Sequence, residues 1–346
     1  MEKFVLVGKN LAELEAFMLE NNQTKYRAKQ VYNKMYLKSV KSINDITELP
    51  LATRELLEEK TKLCSVSLKD KQISKDGTMK FLFETEDNNY AEAVLMRFDN
   101  RANLTACIST QVGCPMGCSF CATAKLGFKR NLTVDEIIQQ IFLIQADTGL
   151  KVTNIVFMGQ GEPLLNFDNL LGSIQVFREH FQIGARRITV STCGIIPKIK
   201  ELAKLDFQST LAISLHAPSQ EIREQIMPVA KKYKYDELIE TLKQYTNATG
   251  RRVTVEYVLM KDINDSVEDA NKLAKAIAKL KSNVNLIVYN QNEKSPYKKP
   301  SKIAIQKFKY ILEASGKKVT VRLERGADID AACGQLSSKI QAEQRA

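Results

Sequence analysis

Hydrophobic and polar positions follow two different periods, and the change of period divides the chain into regions. Over residues 10–63, apolar residues such as Leu11 and Leu14 recur at helical spacing. Between residues 65 and 110 the spacing becomes that of strands, and Asp76-Gly77 predicts a hairpin turn. The pattern therefore predicts a small helical unit followed by antiparallel strands.

Beyond residue 104, strand-like apolar runs alternate with helical patterns. These runs cover residues 153–159, 187–192, 209–217, 252–260, 284–290 and 318–323. Thr133 and Glu136 have the spacing of a capping box at the start of one intervening helix. Such alternation is typical of parallel strands joined by crossover helices. We predict an α/β fold, an incomplete parallel (β/α)6-type barrel, with its site at the carboxyl ends of the strands.

The predicted organisation has three parts. Residues 1–64 form a helical accessory domain, residues 65–103 a β-hairpin extension and linker, and residues 104–346 the barrel with a C-terminal segment. The excess of Lys and Arg over Asp and Glu, 51 to 40, favours a polyanionic partner such as nucleic acid. Basic residues interleave with tyrosines over 25–38, which fits either an RNA-binding surface or a solvated face over an apolar stripe.

Cysteine usage and hydropathy indicate the compartment. The chain has seven cysteines, an odd number with three clustered, which favours a reducing cytoplasm over a disulfide framework. It has no run of eighteen apolar residues, so no membrane span is expected. The first residues lack the features of a signal peptide. We therefore expect a cytoplasmic protein without a membrane partner.

The chemically most distinctive stretch holds Cys114, Cys118 and Cys121, spaced C-x3-C-x2-C. A four-iron cluster usually has four cysteine ligands, so three would leave one iron open to a substrate. A zinc site without its fourth ligand, or three buried cysteines, are the alternatives, although no matching ligand pair follows downstream. The spacing resembles the cluster-binding motif of radical S-adenosylmethionine (SAM) enzymes, in which SAM binds the open iron.

Polar groups also follow several predicted strands. Gly161 lets the backbone approach a ligand closely, and Glu162 can bind the charged amino group of SAM. Ser191 and Asn290 can donate or accept hydrogen bonds with a carboxylate or ribose. His216 ends a strand as well, where a packed core residue is the ordinary alternative.

Longer stretches resemble the RlmN family of RNA methyltransferases across nearly the whole chain. They are FMGQGEPLLN, ARRITVSTCGIIP, LAISLHAP and above all GADIDAACGQL, a signature shared with the Cfr relatives. The resemblance implies methylation of adenine carbon 2 in 23S rRNA, at the peptidyl-transferase centre, and in certain tRNAs, at the adenosine 3′ of the anticodon. It also implies the following SAM contacts: Gly161, Glu162, Ser191, Ser214, Leu215, His216 and Asn290.

The same resemblance implies roles for three further residues. Cys333 would be methylated by one SAM, and a second SAM, cleaved to a 5′-deoxyadenosyl radical, would take hydrogen from that methyl group. The methylene formed would add to the adenine ring, and Cys107 would release it by forming a disulfide. Glu92 would accept the ring proton, although a strand glutamate can also simply face water. Two SAM molecules per turnover, an external electron donor such as flavodoxin and a monomeric enzyme complete this expectation.

Two departures from the family pattern leave alternatives open. Gln160 stands where the family commonly has Met, and residues 291–302 are unusually rich in lysine. Carbon-8 methylation of the Cfr type is one alternative, although the stretch 163–166 matches RlmN better. The others are a radical SAM enzyme with another substrate and a non-enzymatic RNA-binding protein with a structural metal.

Overall fold

The computed structural model describes residues 3–97, 103–290, 295–322 and 324–336. Residues 98–102 and residues 291–294 of the lysine-rich stretch lie outside the described residues. Within the described ranges, no helix combines the length and apolar character needed to cross a membrane.

A small helical unit begins the chain, as the periodicity predicts. Its elements are β1 (Phe4–Val5), α1 (Leu11–Glu20), α2 (Lys25–Asn33), α3 (Leu51–Lys60) and β2 (Thr61–Lys62). Asn10 and Glu13 form a capping box at the start of α1. Strands β1 and β2 pair in parallel, so the first and last residues of the unit are held together.

The tyrosines in and just after α2 have different environments. Tyr36 is only 2% exposed, and its ring packs edge-on against His180 and Phe181 of the barrel. Tyr32 contacts the same histidine at a centroid distance of 5.2 Å. Tyr26, by contrast, is 65% exposed. The aromatic stripe therefore joins this unit to the barrel, and Tyr26 remains accessible.

An antiparallel extension follows the helical unit. It consists of β3 (Ser67–Ile73), β4 (Met79–Glu84) and β5 (Tyr90–Arg97). Strands β3 and β4 pair antiparallel from Ser67 opposite Glu84 to Ile73 opposite Met79, which confirms the predicted hairpin. Strand β5 pairs with β4 on one side and with the first barrel strand on the other, so the extension continues the main sheet.

The barrel strands and helices alternate along the rest of the chain. The strands are β6 (Leu104–Cys107), β7 (Gln111–Gly113), β8 (Phe128–Asn131), β9 (Asn154–Phe157), β10 (Ile188–Thr192), β11 (Thr210–Ser214), β12 (Val253–Leu259), β13 (Ser282–Val288) and β14 (Lys318–Arg322). The helices are α4 (Ala122–Lys125), α5 (Val134–Thr148), α6 (Phe167–Glu179), α7 (Ile196–Leu202), α8 (Gln220–Ile226), α9 (Tyr235–Thr249), α10 (Val267–Ile277) and α11 (Lys302–Ala314).

One ten-stranded sheet contains the extension strands and all of the strands above except β7 and β8. Its order is β14-β13-β12-β11-β10-β9-β6-β5-β4-β3. Neighbours from β6 to β14 are parallel and are joined by crossover helices, the first of which begins at the predicted capping box of Thr133. Strands β7 and β8 form a separate antiparallel pair beside the sheet. The structure confirms the predicted α/β class and its largely parallel sheet with helices.

Candidate active site

The loop between β7 and α4 carries Cys114, Cys118 and Cys121, and we call residues 114–121 the cluster loop. Gly113 directly precedes the loop and has a φ of +74°. If this residue had a Cβ atom, the atom would lie 1.8 Å from the Gly127 carbonyl oxygen. The amide of Cys114 donates to that same carbonyl at 2.9 Å. A residue with a side chain would clash here, so this glycine fixes where the loop begins.

The three thiols of the cluster loop line one cavity. Burial raises the pKa of Cys118, and charges on Cys121 and Cys114 raise it further, so the sulfurs are close neighbours. Burial also raises the pKa of Cys114 to about 12, and a thiolate there needs a positive partner.

In the described part of the chain, no three His, Cys, Asp or Glu side chains are arranged to bind one metal ion. A four-iron cluster binds each thiolate through a different iron, so its ligands need not converge on one point. The three thiols of the cluster loop are a donor set that such a cluster could use.

The carboxyl ends of the parallel strands supply the rest of this cavity, as the barrel prediction requires. Among the predicted cofactor contacts, those that line it are Gly161, Glu162, Ser191, Ser214, His216 and Asn290. The hydroxyl oxygens of Ser191 and Ser214, on neighbouring strands β10 and β11, are 3.3 Å apart. The parallel register thus brings side chains that are distant in sequence to one wall.

Glu162 is the buried carboxylate of this cavity. Its two oxygens accept hydrogen bonds from the amides of Leu164 at 3.0 Å and Cys193 at 2.7 Å. Gly161 precedes it with a φ of +102°, and a Cβ there would lie 2.6 Å from Gln111. Burial raises the pKa of Glu162, so a cationic ligand in the cavity would stabilise its charged form.

Leu215 and His216 follow β11 and have different environments. The Nδ1 atom of His216 accepts a hydrogen bond from the Val258 amide at 3.1 Å, and burial lowers the pKa of this imidazole to about 3. Its ring stands edge-on to Phe120 of the cluster loop at 5.2 Å. Leu215 does not line the cavity; its side chain is fully buried and its carbonyl accepts from Arg223 at 3.2 Å. The position of Leu215 therefore gives no support to the predicted contact.

A second cavity adjoins the first and contains both remote cysteines; we call it the thiol pocket. Cys107 is buried at the end of β6, whereas Cys333 is exposed, and both thiols are free. Burial raises the pKa of Cys107 to about 12, and the neighbouring Cys333 raises it further. Cys121 lines this pocket as well, so the cluster loop and the thiol pocket share a wall.

Residues 324–336, the C-terminal segment, cross the open end of the barrel to bring Cys333 there. The amide of Ala122 donates to the Gly334 carbonyl at 2.7 Å, and Thr123 Oγ1 donates to the Leu336 carbonyl at 2.7 Å. Asn290 Nδ2 donates to the carbonyl of Cys333 at 3.3 Å. Helix α4, which follows the cluster loop directly, therefore holds the segment that carries the second thiol.

The hairpin turn between β3 and β4 holds the other end of the C-terminal segment. Ser74 Oγ donates to Asp328 at 2.5 Å, and the Lys75 amide donates to the same carboxylate at 3.1 Å. Asp76 accepts from the Gly326 amide at 3.0 Å. We call these contacts the hairpin clamp. They give the antiparallel extension a direct link to the Cys333 segment.

Glu92 lies on β5 and is only 1% exposed, so the water-facing alternative for this residue is wrong. Lys80 Nζ lies 3.7 Å from Oε1 of Glu92, and Gln160 Nε2 donates to Oε2 at 3.4 Å. Burial raises the pKa of Glu92 to about 7, against the lowering effect of Lys80. A carboxylate with that pKa can exchange a proton near neutral pH.

Sequence reasoning missed two charged residues: Arg322 lines both cavities, and Glu256 lines the first. Arg322 Nη1 lies 3.9 Å from Glu256 Oε2 and 3.4 Å from the sulfur of Met158. The charge of Cys333 raises the pKa of Arg322, so the guanidinium faces the thiol pocket. Asn285 donates to the other Glu256 oxygen at 2.9 Å. For Glu256, the available signal was a single charged residue within the otherwise uncharged strand β12.

The sequence is similar to two protein families and to curated relatives. Residues 108–274 match the radical SAM superfamily, and residues 5–63 match the ribosomal RNA large subunit methyltransferase N-terminal domain. The "Probable dual-specificity RNA methyltransferase RlmN" of Alkaliphilus oremlandii is 45% identical over 98% of this chain and 99% of its own length. Its Clostridium botulinum counterpart is 46% identical, covering 94% of each chain.

A solved structure shows the same architecture. It is a radical SAM methyltransferase from Sphaerobacter thermophilus, 40% identical in sequence, with a TM-score of 0.90. The match covers 96% of this chain and 98% of the other. The similarity thus extends over the accessory unit, the barrel and the C-terminal segment together.

Proposed function

Because this chain belongs to the RlmN family of radical SAM RNA methyltransferases, we propose that it methylates carbon 2 of adenine in 23S rRNA and tRNA. It is a radical SAM enzyme, so SAM and a four-iron cluster are its cofactors, and RNA is its substrate. The choice of carbon 2, the two RNA classes and the use of two SAM molecules are our proposal.

The observation that carries this proposal is the pair of thiols in the thiol pocket. Cys107 and Cys333 line one cavity, although they come from opposite ends of the barrel sequence. Ring carbons of adenine lack a nucleophilic lone pair, so a methyl group needs a carrier that can deliver it as a radical. We call the cavity lined by the cluster loop and Glu162 the SAM cavity. A thiol beside it can be that carrier, and a second thiol can then release the product.

We assign the carrier role to Cys333 and the binding of the cluster to Cys114, Cys118 and Cys121. A cluster held by these thiolates would supply the electron for reductive cleavage of SAM. Cys333 is exposed and held by its neighbours, so its sulfur can first accept a methyl group and then present it to the RNA. A non-enzymatic RNA-binding protein with a structural metal would have no use for this arrangement.

Cys107 performs the release step in this scheme. Its thiolate attacks the sulfur of Cys333, a sulfur–sulfur bond forms, and the sulfur–carbon bond breaks. The electron pair of the broken bond passes to the carbon attached to the ring, which a proton then completes to a methyl group. An external electron donor of the flavodoxin class reduces the disulfide afterwards. Burial of Cys107 keeps its thiol protonated until this step.

Glu92 is the proposed proton acceptor for the ring carbon. The proton moves to the carboxylate, the electron pair of the carbon–hydrogen bond stays in the ring, and the unpaired electron left by the radical addition would return to the oxidised cluster. A pKa of about 7 makes Glu92 a stronger base than an ordinary glutamate while leaving a substantial charged fraction near neutral pH.

The SAM cavity supplies complementary groups for the cofactor. Glu162, Ser191 and Asn290 line the cavity. We assign Glu162 to the amino group of SAM, and Ser191 and Asn290 to its carboxylate or ribose. His216 stays neutral because burial lowers its pKa, so it stacks or hydrogen-bonds without adding charge near the sulfonium.

The basic accessory unit and the lysines near residue 298 are the proposed RNA-binding surfaces, since the chain carries a net charge of +11. We propose that the enzyme acts as a monomer. A reducing cytoplasm suits both its RNA substrates and its seven cysteines.

Mass spectrometry of nucleosides tests the proposed function directly. Ribosomal RNA and tRNA from cells lacking the activity would be incubated with the reconstituted enzyme, SAM and a reductant, without oxygen. We expect 2-methyladenosine in both RNA classes and none with the Cys118→Ala variant. Finding 8-methyladenosine instead would indicate the Cfr-type activity, and finding neither would leave a different radical SAM substrate.

A further inference from the structure

Glu92 is buried in a way that constrains which groups can act on its carboxylate. Strand β4 places Leu82 opposite Glu92 and Lys80 two residues away on the same face. Lys80 is itself largely buried, with its side chain 11% exposed, and its Nζ lies 3.7 Å from Oε1 of Glu92. An ion pair so shielded from water is much less screened than a surface pair.

Gln160 approaches the other oxygen of the same carboxylate from the loop after β9. Its Nε2 donates to Oε2 of Glu92 at 3.4 Å. Ser109 holds the two backbones in register, because its hydroxyl donates to the Glu92 carbonyl at 2.6 Å and accepts from the Gln160 amide at 2.8 Å. Ser109 is fully buried, so this link is protected from water.

We propose that Lys80 and Gln160 are positioning residues that hold the Glu92 carboxylate, one oxygen each, and set the pH range over which it accepts a proton. This inference rests on the proposed role of Glu92. A carboxylate held at both oxygens cannot rotate freely, so its orientation is fixed before the substrate binds. The lysine and the amide both stabilise the charged form, which is the form that acts as a base.

Among the described residues, two charged side chains act on Glu92: Lys80 from β4 and Asp330 from the C-terminal segment. Lys80 lowers the pKa of Glu92 and Asp330 raises it. Ser109, which follows β6, and Gln160, which follows β9, are uncharged. Removing the lysine therefore leaves burial and Asp330 to raise the pKa of Glu92 beyond about 7.

The test is the pH profile of a single turnover on RNA, started with enzyme already methylated on Cys333. The wild-type rate should fall as pH decreases through about 7, because protonated Glu92 cannot act as a base. Lys80→Met should move this fall to higher pH by about one pH unit, since an opposite charge at this distance shifts a carboxylate by at least that amount. Gln160→Met should move it in the same direction by less.

Two further variants make the comparison specific. Lys80→Arg keeps the positive charge and should restore a profile close to wild type. Lys71→Met removes a lysine from the adjacent strand β3, where it pairs with Asp147 at 2.7 Å, and should leave the profile unchanged. Iron content and SAM affinity, measured for each variant, establish that the fold and the cofactor site are intact.

The outcomes separate this inference from the function on which it rests. Glu92→Gln should slow the turnover by roughly 100-fold or more, the usual range for loss of a general base. Full activity of Glu92→Gln would remove the base role itself. If Glu92→Gln is inactive but Lys80→Met and Lys71→Met share the wild-type profile, the base role stands and the positioning role of Lys80 is wrong.

Discussion

The cluster loop gathers its three cysteines between residues 114 and 121, whereas the thiol pocket draws Cys107 and Cys333 from distant parts of the chain. The two regions share a wall, yet they are stabilised differently. Glycine and local backbone hydrogen bonds shape the cluster loop. The thiol pocket depends on sheet pairing, the hairpin clamp and contacts with α4.

Substitutions in the two regions should stop the reaction at different steps. The steps that form the adduct need the cofactors, so damage to the cluster loop should stop the reaction from the beginning. The thiol pocket acts in stages, so damage there should stop the reaction at one stage and preserve what precedes it. Substitutions in the two regions should therefore give different signatures, and the size of the effects can be ordered.

The largest effect is expected from Cys118→Ala. Two thiolates are too few to retain a cluster that is normally held by three or four, so iron and sulfide should be lost and no SAM should be cleaved. Iron and sulfide analysis after anaerobic reconstitution would measure this. Cys64→Ala is the matched control, because Cys64 packs against the apolar core away from both cavities. Full cluster content in Cys118→Ala would exclude this residue as a ligand.

A smaller effect is expected from Asp328→Ala in the hairpin clamp. The substitution removes the acceptor for Ser74 and for the Lys75 amide, so the C-terminal segment loses one of its attachments. Methylation of Cys333 should slow by roughly threefold to tenfold, as expected for loss of such hydrogen bonds. SAM affinity should stay unchanged, and Asp206→Ala, on a loop after α7, should behave as wild type. A clamp variant that weakened SAM binding equally would show that the two regions are not separable.

The smallest effect is expected from Ser191→Ala in the SAM cavity. The variant loses one hydroxyl that faces the cavity, so the dissociation constant for SAM should rise about fivefold, the usual effect of one hydrogen bond. Equilibrium binding to the reconstituted enzyme would measure it. Ser209→Ala is the control. It removes a buried hydroxyl just before β11, at the end of that strand far from the cavity residue Ser214, and should leave SAM affinity unchanged. An unchanged affinity in Ser191→Ala would remove this hydroxyl from the cofactor contacts.

The same contrast explains what could be predicted from the sequence. The parallel strands, the capping box at Thr133 and the hairpin turn at Asp76-Gly77 follow from short-range patterns, and the structure confirms all three. The grouping of strand-end residues such as Ser191 and Ser214 follows from parallel pairing alone. These features need only local spacing and the rule that the ends of parallel strands meet.

The remaining features depend on pairings that no local pattern reveals. Lys80 contacts Glu92 because of the register between β4 and β5. Gln160 reaches the same carboxylate because Ser109 links the backbones of Glu92 and Gln160. The hairpin clamp joins residue 74 to residue 328, far apart in the chain. Leu215 shows the opposite case: it lies next to the cavity in sequence, but its side chain points into the core.

The central claim is that Cys333 carries the methyl group and Cys107 releases it. Denaturing gels of the Cys107→Ala enzyme after reaction with RNA, SAM and a reductant test this most directly, with nuclease treatment as the control. We predict a covalent protein–RNA species with Cys107→Ala, and neither product nor covalent species with Cys333→Ala. Turnover of Cys107→Ala at the wild-type rate, with no covalent species, would contradict the account.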